Sequence, residues 1–254
     1  RGLGLAAPQV LHSDAALGLA LLEDLGPTTA AAHLIDHPGD EPTLYRTAAE
    51  ALARVQATAP PDGLPPLSPA SAAAMLDPLF DAHPDLPETL CSALRAEVED
   101  MLAALWPPRL VLSLRDFHAE NLIWRPDRAG LDRLGLLDFQ DAFLAPPAYD
   151  LASLLDDVRR DVGVSAQTAA LRAFCDRTGA SMQATAAARA ALSVQRNLRI
   201  LGIFARLIHH AGKERYRAFL PRTRAHLARQ LAHPACAGLR PLVAPLLSRT
   251  EAAP

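Results

Sequence analysis

Residues 110–141 read LVLSLRDFHAENLIWRPDRAGLDRLGLLDFQD, and this stretch decides the fold. It holds three compact apolar pieces, 110–114, 122–124 and 134–137, each running straight into polar residues. The polar segment 125–132 between the last two contains Pro126 and Gly130, so the spacing predicts two short strands paired through a turn. Asp116 and Asn121 follow the first piece, and Asp138 follows the last. A carboxylate leaving an apolar strand end is costly unless it is paired or bound to a cation. A carboxylate with an amide oxygen suits Mg2+, a hard cation that prefers oxygen and keeps some of its waters. A further carboxylate nearby could orient a hydroxyl and accept its proton. Phosphoryl transfer asks for little more than positioning, metal and a base.

On the N-terminal side, LGLALLEDL at 17–25 predicts a short buried strand that leaves the core at Glu23 and Asp24. Leu44, Ala48, Ala51, Leu52 and Val55 recur at helical spacing, which predicts a helix over 43–57 with Thr43 as its cap. Five prolines make 58–70 a loop. A second helix spans 87–105, with Pro87 at its start and Leu90, Leu94, Val98, Met101 and Leu102 on one side. After Pro146 and Pro147 the pattern turns helical and stays so, with helices expected at 148–160, 165–178, 183–211, 214–232 and 238–249.

The bulk numbers exclude several classes. A chain of 254 residues can form one large domain or two lobes. The net charge of −3 sets up no global field demanding a nucleic acid or a membrane. No run approaches the roughly 18 uncharged apolar residues of a membrane span. The opening residues lack a signal-peptide pattern, so the cytoplasm is the default location. Cys91, Cys175 and Cys236 lie far apart and form neither a disulfide framework nor a metal cluster. The only lysine is Lys213, which excludes any mechanism needing one in the first half. Charge is uneven: residues 181–250 carry twelve Arg or Lys against the single acid Glu214. Such a region is either a solvated basic helix surface or a surface for an anion.

Arg115-Asp116 with Asn121 five residues after the aspartate resembles the kinase catalytic loop, and Asp138-Phe139-Gln140 resembles the segment whose aspartate holds the metal. D-x-H-x-x-N (Asp116, His118, Asn121), then L-D-F-Q-D-A (Asp138, Asp141), then P-x-Y-D-L-A (Pro147, Tyr149, Asp150) is similar to the aminoglycoside-phosphotransferase branch of the kinase-like fold. LRDFHAENLIW with GLLDFQDA, and QRNLRILGIFARL at 195–207, look like the bacterial kinases that phosphorylate the anomeric hydroxyl of N-acetylmuramate and N-acetylglucosamine during cell-wall recycling.

The resemblance implies an α+β, protein-kinase-like fold. Residues 1–26 would be a remnant of the N-lobe and hinge, and 27–254 a mostly helical C-lobe with a short catalytic β-hairpin. It implies an enzyme using ATP and Mg2+, with Asp116 as the catalytic base and Asn121 and Asp138 as metal ligands. Glu23, Asp24 and Leu25 fall where the hinge would offer backbone groups to adenine. Arg115 and Asp150 would support the catalytic loop, Asp150 as a buried acid at a helix start. His118 has the chemistry of a proton carrier, but the family pattern implies a positioning role. Asp141 has no assigned role.

Two departures stand out. Leu114 replaces a histidine common in kinases, where that residue mainly packs. A Gly-rich phosphate loop, a strand lysine and a helix glutamate are not found before the hinge, so the first part of the small lobe is expected to be missing from this chain. Either the natural protein continues upstream or ATP function is lost, the second case making it a pseudokinase or binding module. The basic C-terminal half argues against a polycationic aminoglycoside and for a neutral or anionic sugar. Arg196, Arg199 and Arg206 are candidates to grip a carboxylate. Other hydroxylated metabolites remain as alternative acceptors. The expected partner is one small sugar, with no nucleic acid and no membrane, bound by a monomer.

Overall fold

A computed structural model describes residues 2–248. The chain runs β1 (Val10–Asp14), β2 (Leu19–Leu22), α1 (Ala30–Asp36), α2 (Glu41–Gln56), α3 (Pro69–Ala74), α4 (Asp77–Asp81), α5 (Glu88–Ala104) and β3 (Val111–Ser113). It continues through β4 (Leu122–Trp124), β5 (Leu134–Leu136), β6 (Phe143–Ala145), α6 (Tyr149–Leu155), α7 (Val164–Thr178), α8 (Met182–His209), α9 (Leu220–Leu231) and α10 (Leu239–Leu247). Each sheet is a two-stranded antiparallel pair: β1 with β2, β3 with β6, and β4 with β5. The predicted hairpin is β4–β5, in register Leu122 with Leu136 and Trp124 with Leu134. This is an α+β, protein-kinase-like arrangement in which short strands carry loops and helices carry the mass.

Two apolar cores hold it together. One packs α2 against α7 through Leu44, Ala48, Leu52 and Phe174, and extends to Phe117, Leu122 and Leu134. The other gathers α3, α4, α5, α8, α9 and α10 around Leu79, Leu94, Val98, Leu198, Leu227 and Val243. Helix α8 crosses α4 so closely that a Cβ on Gly202 would lie 2.1 Å from the Leu79 backbone nitrogen. A backbone neighbour cannot swing aside as a side chain can. Overpacking costs roughly 1–3 kcal/mol or more, and alanine recovers only about 1 kcal/mol of helix propensity. Gly202→Ala is therefore expected to lower the urea unfolding midpoint with the slope unchanged.

Several expectations need correction. The strand in 17–25 exists as β2 but is not buried, since Leu19, Leu21 and Leu22 are 65%, 60% and 50% exposed. A lone two-stranded ribbon has two faces, and no described element covers either. Thr43 is not a cap: α2 starts two residues earlier after Asp40, with Pro42 in its first turn. The helix expected over 148–160 stops at Leu155, where buried Asp156 accepts from Arg189, Arg229 and Gln230 and buried Asp157 accepts from the N–H and guanidinium of Arg159. The segment 214–232 splits into a 3-10 turn and α9, since Pro221 fits only a first helical turn. Helices α1, α3 and α4 and strands β1 and β6 were not expected. The predicted end of the last helix, residue 249, lies outside the described residues. All three cysteines are buried and free. Among the described residues no helix is long and apolar enough to cross a membrane.

Candidate active site

The β3–β6 and β4–β5 pairs bring two loops together. After β3, Arg115 takes a left-handed conformation (φ 68°), and Asp116 N–H donates to the Leu114 carbonyl at 2.8 Å. An L-residue in that region is strained, so something must hold it there. That group is Asp150, in the first turn of α6 and fully buried. Its carboxylate accepts from Ser113 Oγ (2.8 Å), Leu114 N–H (2.8 Å) and Arg115 N–H (3.1 Å). Burial pushes the Asp150 carboxyl up to about 6, against the pull of these donors.

A carboxyl whose folded value lies above its unfolded value takes up a proton on folding. Its contribution to stability is therefore full below the unfolded value near 4 and is lost as pH rises through about 6. Asparagine keeps the shape but turns an NH2 towards a donor, which costs about 1–3 kcal/mol. In denaturation at pH 8 and pH 5, the penalty of Asp150→Asn is expected to be about 1 kcal/mol larger at pH 5.

Asn121 ends a 3-10 turn before β4, and Asp138 follows β5. The Asn121 amide donates to Asp138 Oδ2 and to the Asp116 carbonyl, each at 2.9 Å. Its protons are thus engaged by the protein, and its oxygen is the atom left to meet a cation. Asp138 is also left-handed (φ 59°) and accepts from the Gln140 amide. Asn121 and Asp138 lie within reach of one shared cation. Among the described residues no three His, Cys, Asp or Glu side chains converge as a metal cage. One carboxylate and one amide oxygen nonetheless fit Mg2+, a cation that takes few protein ligands and would keep part of its water shell here.

Asp116 faces a separate cavity of about 180 Å3, with Ser153, Arg196, Arg199, Ile203 and Phe204 in its wall. The arginines and apolar residues sit on one face of α8. Arg196 Nη2 lies 4.0 Å from Asp116 Oδ1 and donates to Ser153 Oγ at 2.6 Å. Ser153 Oγ in turn donates to the Arg115 carbonyl at 3.3 Å. Arg115 also lines the cavity and lies 3.6 Å from Asp141, which gives Asp141 an ion-pair partner. Arg206 does not line it. It lies seven residues beyond Arg199, roughly 10 Å further along α8, and is exposed.

His118 is buried, with Nε2 3.4 Å from the Asn121 amide nitrogen. Burial, then the nearby Arg159 charge, lowers its pKa to about 4, so the ring is neutral near pH 7. Glu23, Asp24 and Leu25 link β2 to α1 and line another cavity, about 510 Å3, with Trp124 and Arg128. Asp24 accepts from Gly26 N–H at 2.8 Å, and Glu23 accepts from Gln9 N–H at 3.1 Å. Leu25 is buried over Gly135, where a Cβ would meet its Cδ1 at 2.9 Å.

Ser153, Asp157, Arg159 and the α8 apolar residues also line the Asp116 cavity, and sequence reasoning did not single them out. The adjacent acids Asp156-Asp157 after an apolar helix were the available signal. Part of the basic excess of the C-terminal half is paired in place. Arg189 and Arg229 pair with buried Asp156 (3.1 and 2.9 Å), Arg222 with Asp161 (3.0 Å) and Arg217 with Glu214 (2.8 Å).

Residues 1–192 match the family described as "Phosphotransferase enzyme family". The chain is 41% identical over 256 residues to an N-acetylmuramate/N-acetylglucosamine kinase of Caulobacter vibrioides, covering 93% of this chain and 69% of that one. A Pseudomonas aeruginosa protein of the same description is 30% identical over 272 residues, covering 99% and 76%. Among solved structures, a choline/ethanolamine kinase family protein from Mesorhizobium loti superposes with a TM-score of 0.68 at 18% identity, covering 95% of this chain and 78% of the other.

Proposed function

Because this chain belongs to the phosphotransferase enzyme family, we propose that it is the sugar-directed kinase its motifs suggest, moving the γ-phosphoryl group of ATP to a hydroxyl of an N-acetylated amino sugar. Its membership makes it a phosphotransferase with a hydroxyl acceptor; the sugar, ATP and Mg2+ are our reading. The observation that carries it is the 2.9 Å contact between Asn121 and Asp138, with Asp116 one hydrogen bond away through its own carbonyl.

In this reading Asp116 orients the acceptor hydroxyl and takes its proton as the oxygen–phosphorus bond forms and the bond to the departing diphosphate breaks. Asn121 and Asp138 hold Mg2+, which when bound neutralises charge on the nucleotide phosphates. His118, neutral and buried, packs behind Asn121. Residues 1–26 supply the hinge side, where the backbone of Glu23, Asp24 and Leu25 meets adenine, and 27–254 supply the helical lobe.

The acceptor assignment draws on the names of the relatives and on the cavity beside Asp116. At about 180 Å3 it is smaller than the roughly 300–1,000 Å3 usual for drug-sized ligands, which suits one sugar ring better than a multi-ring aminoglycoside. The four arginines in its wall also disfavour a polycation. We place the reaction in cell-wall recycling, on the strength of the 110–141 and 195–207 motifs.

The test is transfer by the full-length protein from ATP to N-acetylmuramate, N-acetylglucosamine and kanamycin, read by mass spectrometry. Both sugars are expected to gain one phosphate and lose reducing-end reactivity, while kanamycin stays unmodified. Phosphorylation of kanamycin alone, or of a product that remains reducing, would sink the assignment of the anomeric hydroxyl.

A further inference from the structure

The acceptor cavity holds four arginines, and the structure accounts for three. Arg115 faces Asp141 at 3.6 Å. Arg159 lies 3.0 Å from Glu120 and 3.3 Å from Asp157. Arg196 is engaged by Ser153 and approaches Asp116. The cavity's buried acid Asp156 is already matched by Arg189 and Arg229, from outside the cavity. Arg199 is half-buried in the same wall, one helical turn from Arg196; among the described residues no hydrogen bond or close ion pair holds it, and Tyr149 and Asp116 attract it only from a distance.

A guanidinium cannot be neutralised by losing its proton near pH 7. Holding one partly out of water without a partner costs free energy unless a ligand supplies the missing charge. On the same face of α8, Ile200, Ile203 and Phe204 add apolar surface beside the charged and polar residues of the cavity. Apolar neighbours on that face keep water from part of the Arg199 side chain, which strengthens an ionic contact made there.

From this ledger we infer that Arg199 is the carboxylate-recognising residue of the acceptor site, and that it makes the enzyme favour an acidic sugar over its neutral counterpart. The inference rests on the sugar-kinase reading above and goes beyond it, since that reading is satisfied by either sugar. The planar fork of Arg199 offers two parallel donors to a carboxylate. It lies on the same wall as Arg196, whose guanidinium is 4.0 Å from Asp116, so an acid group on the sugar is held on the side of the cavity nearest the base. Arg196 is a positioning residue in this scheme and Arg199 a binding residue.

The experiment compares kcat/KM for N-acetylmuramate, which carries a lactyl carboxylate, with that for N-acetylglucosamine, which does not. Full-length wild type, Arg199→Gln and Arg199→Lys are measured, with melting temperatures taken alongside. A hydrogen bond to a charged group corresponds to about 10- to 100-fold in affinity. Arg199→Gln is therefore expected to lower the acidic-to-neutral ratio by about that factor. Arg199→Lys, which keeps the charge but loses the fork, is expected to fall between.

A ratio unchanged in Arg199→Gln, with both sugars slowed equally or not at all, overturns the inference and leaves the sugar-kinase reading standing. If wild type phosphorylates neither sugar, that reading falls and takes the inference with it. Should Arg199→Gln fail to fold, the ratio in Arg199→Lys decides: unchanged overturns the assignment, lowered supports it.

Discussion

Asp138→Asn is expected to slow phosphoryl transfer by about a thousandfold, with a melting temperature close to wild type. A bound cation supplies several kcal/mol of transition-state stabilisation, and each tenfold in rate is about 1.4 kcal/mol. Asparagine is the informative replacement because Asp138 sits at φ 59°. Asparagine tolerates the left-handed region, whereas alanine there would add roughly 1–2 kcal/mol of backbone strain and mix a folding defect into the kinetics. The amide oxygen still accepts from Asn121, while its NH2 replaces the oxygen that accepts from the exposed Gln140 amide, so the variant removes the charge and one solvent-exposed hydrogen bond. Initial rates at saturating ATP, set beside a thermal melt, are the measurement. Turnover within tenfold of wild type would remove Asp138 from the metal site.

Asp116→Ala is expected to lower kcat by about 10²- to 10⁴-fold, the range for loss of a positioned general base, while KM for the sugar changes little. The interaction lost is one made as the proton moves, so ground-state binding has little to lose. Its side chain is 48% exposed and its ionic contact with Arg196 is long, at 4.0 Å. Contacts of that kind contribute about 0–1 kcal/mol, so fold stability should barely change. Steady-state kinetics on both sugars with a matched melt check this. An unaltered kcat would mean that another group accepts the proton. A large drop in melting temperature would mean that Asp116 braces the loop, as Asp150 does.

Much of the site could be read from 110–141 because its signals are local. The β4 and β5 pieces are short apolar runs on either side of a polar turn with Pro126 and Gly130, and register follows from that spacing. The chemistry-bearing residues then fall at strand ends, where they meet. The partners of Asp150 were less visible: Ser113, Leu114 and Arg115 are separated from it by thirty-five residues or more. Strand β6 was missed because Phe143–Ala145 is three residues long and pairs back to β3, a contact no local pattern encodes. Helix α3 was hidden inside a proline-rich stretch, although Ser68 and Ser71 cap it reciprocally. The apolar run ending in β2 looked buried because hydrophobicity reports what could be covered, not whether a neighbour covers it. Arg206 shared the helical phase of Arg199, and phase does not say where along its axis a helix leaves a cavity.

The chain of contacts from Arg196 to Ser153 to the Arg115 carbonyl ties one long helix to the turn that carries Asp116. A protein wired this way cannot widen the cavity beside Asp116 by tilting that helix without dragging the turn out of shape. New acceptor preferences would have to arise by exchanging side chains on a stationary rod, at positions 199, 200, 203 and 204, with Arg196 kept as the fixed point. Laboratory evolution aimed at a different alcohol should therefore randomise those four sites and leave the backbone's hinges alone.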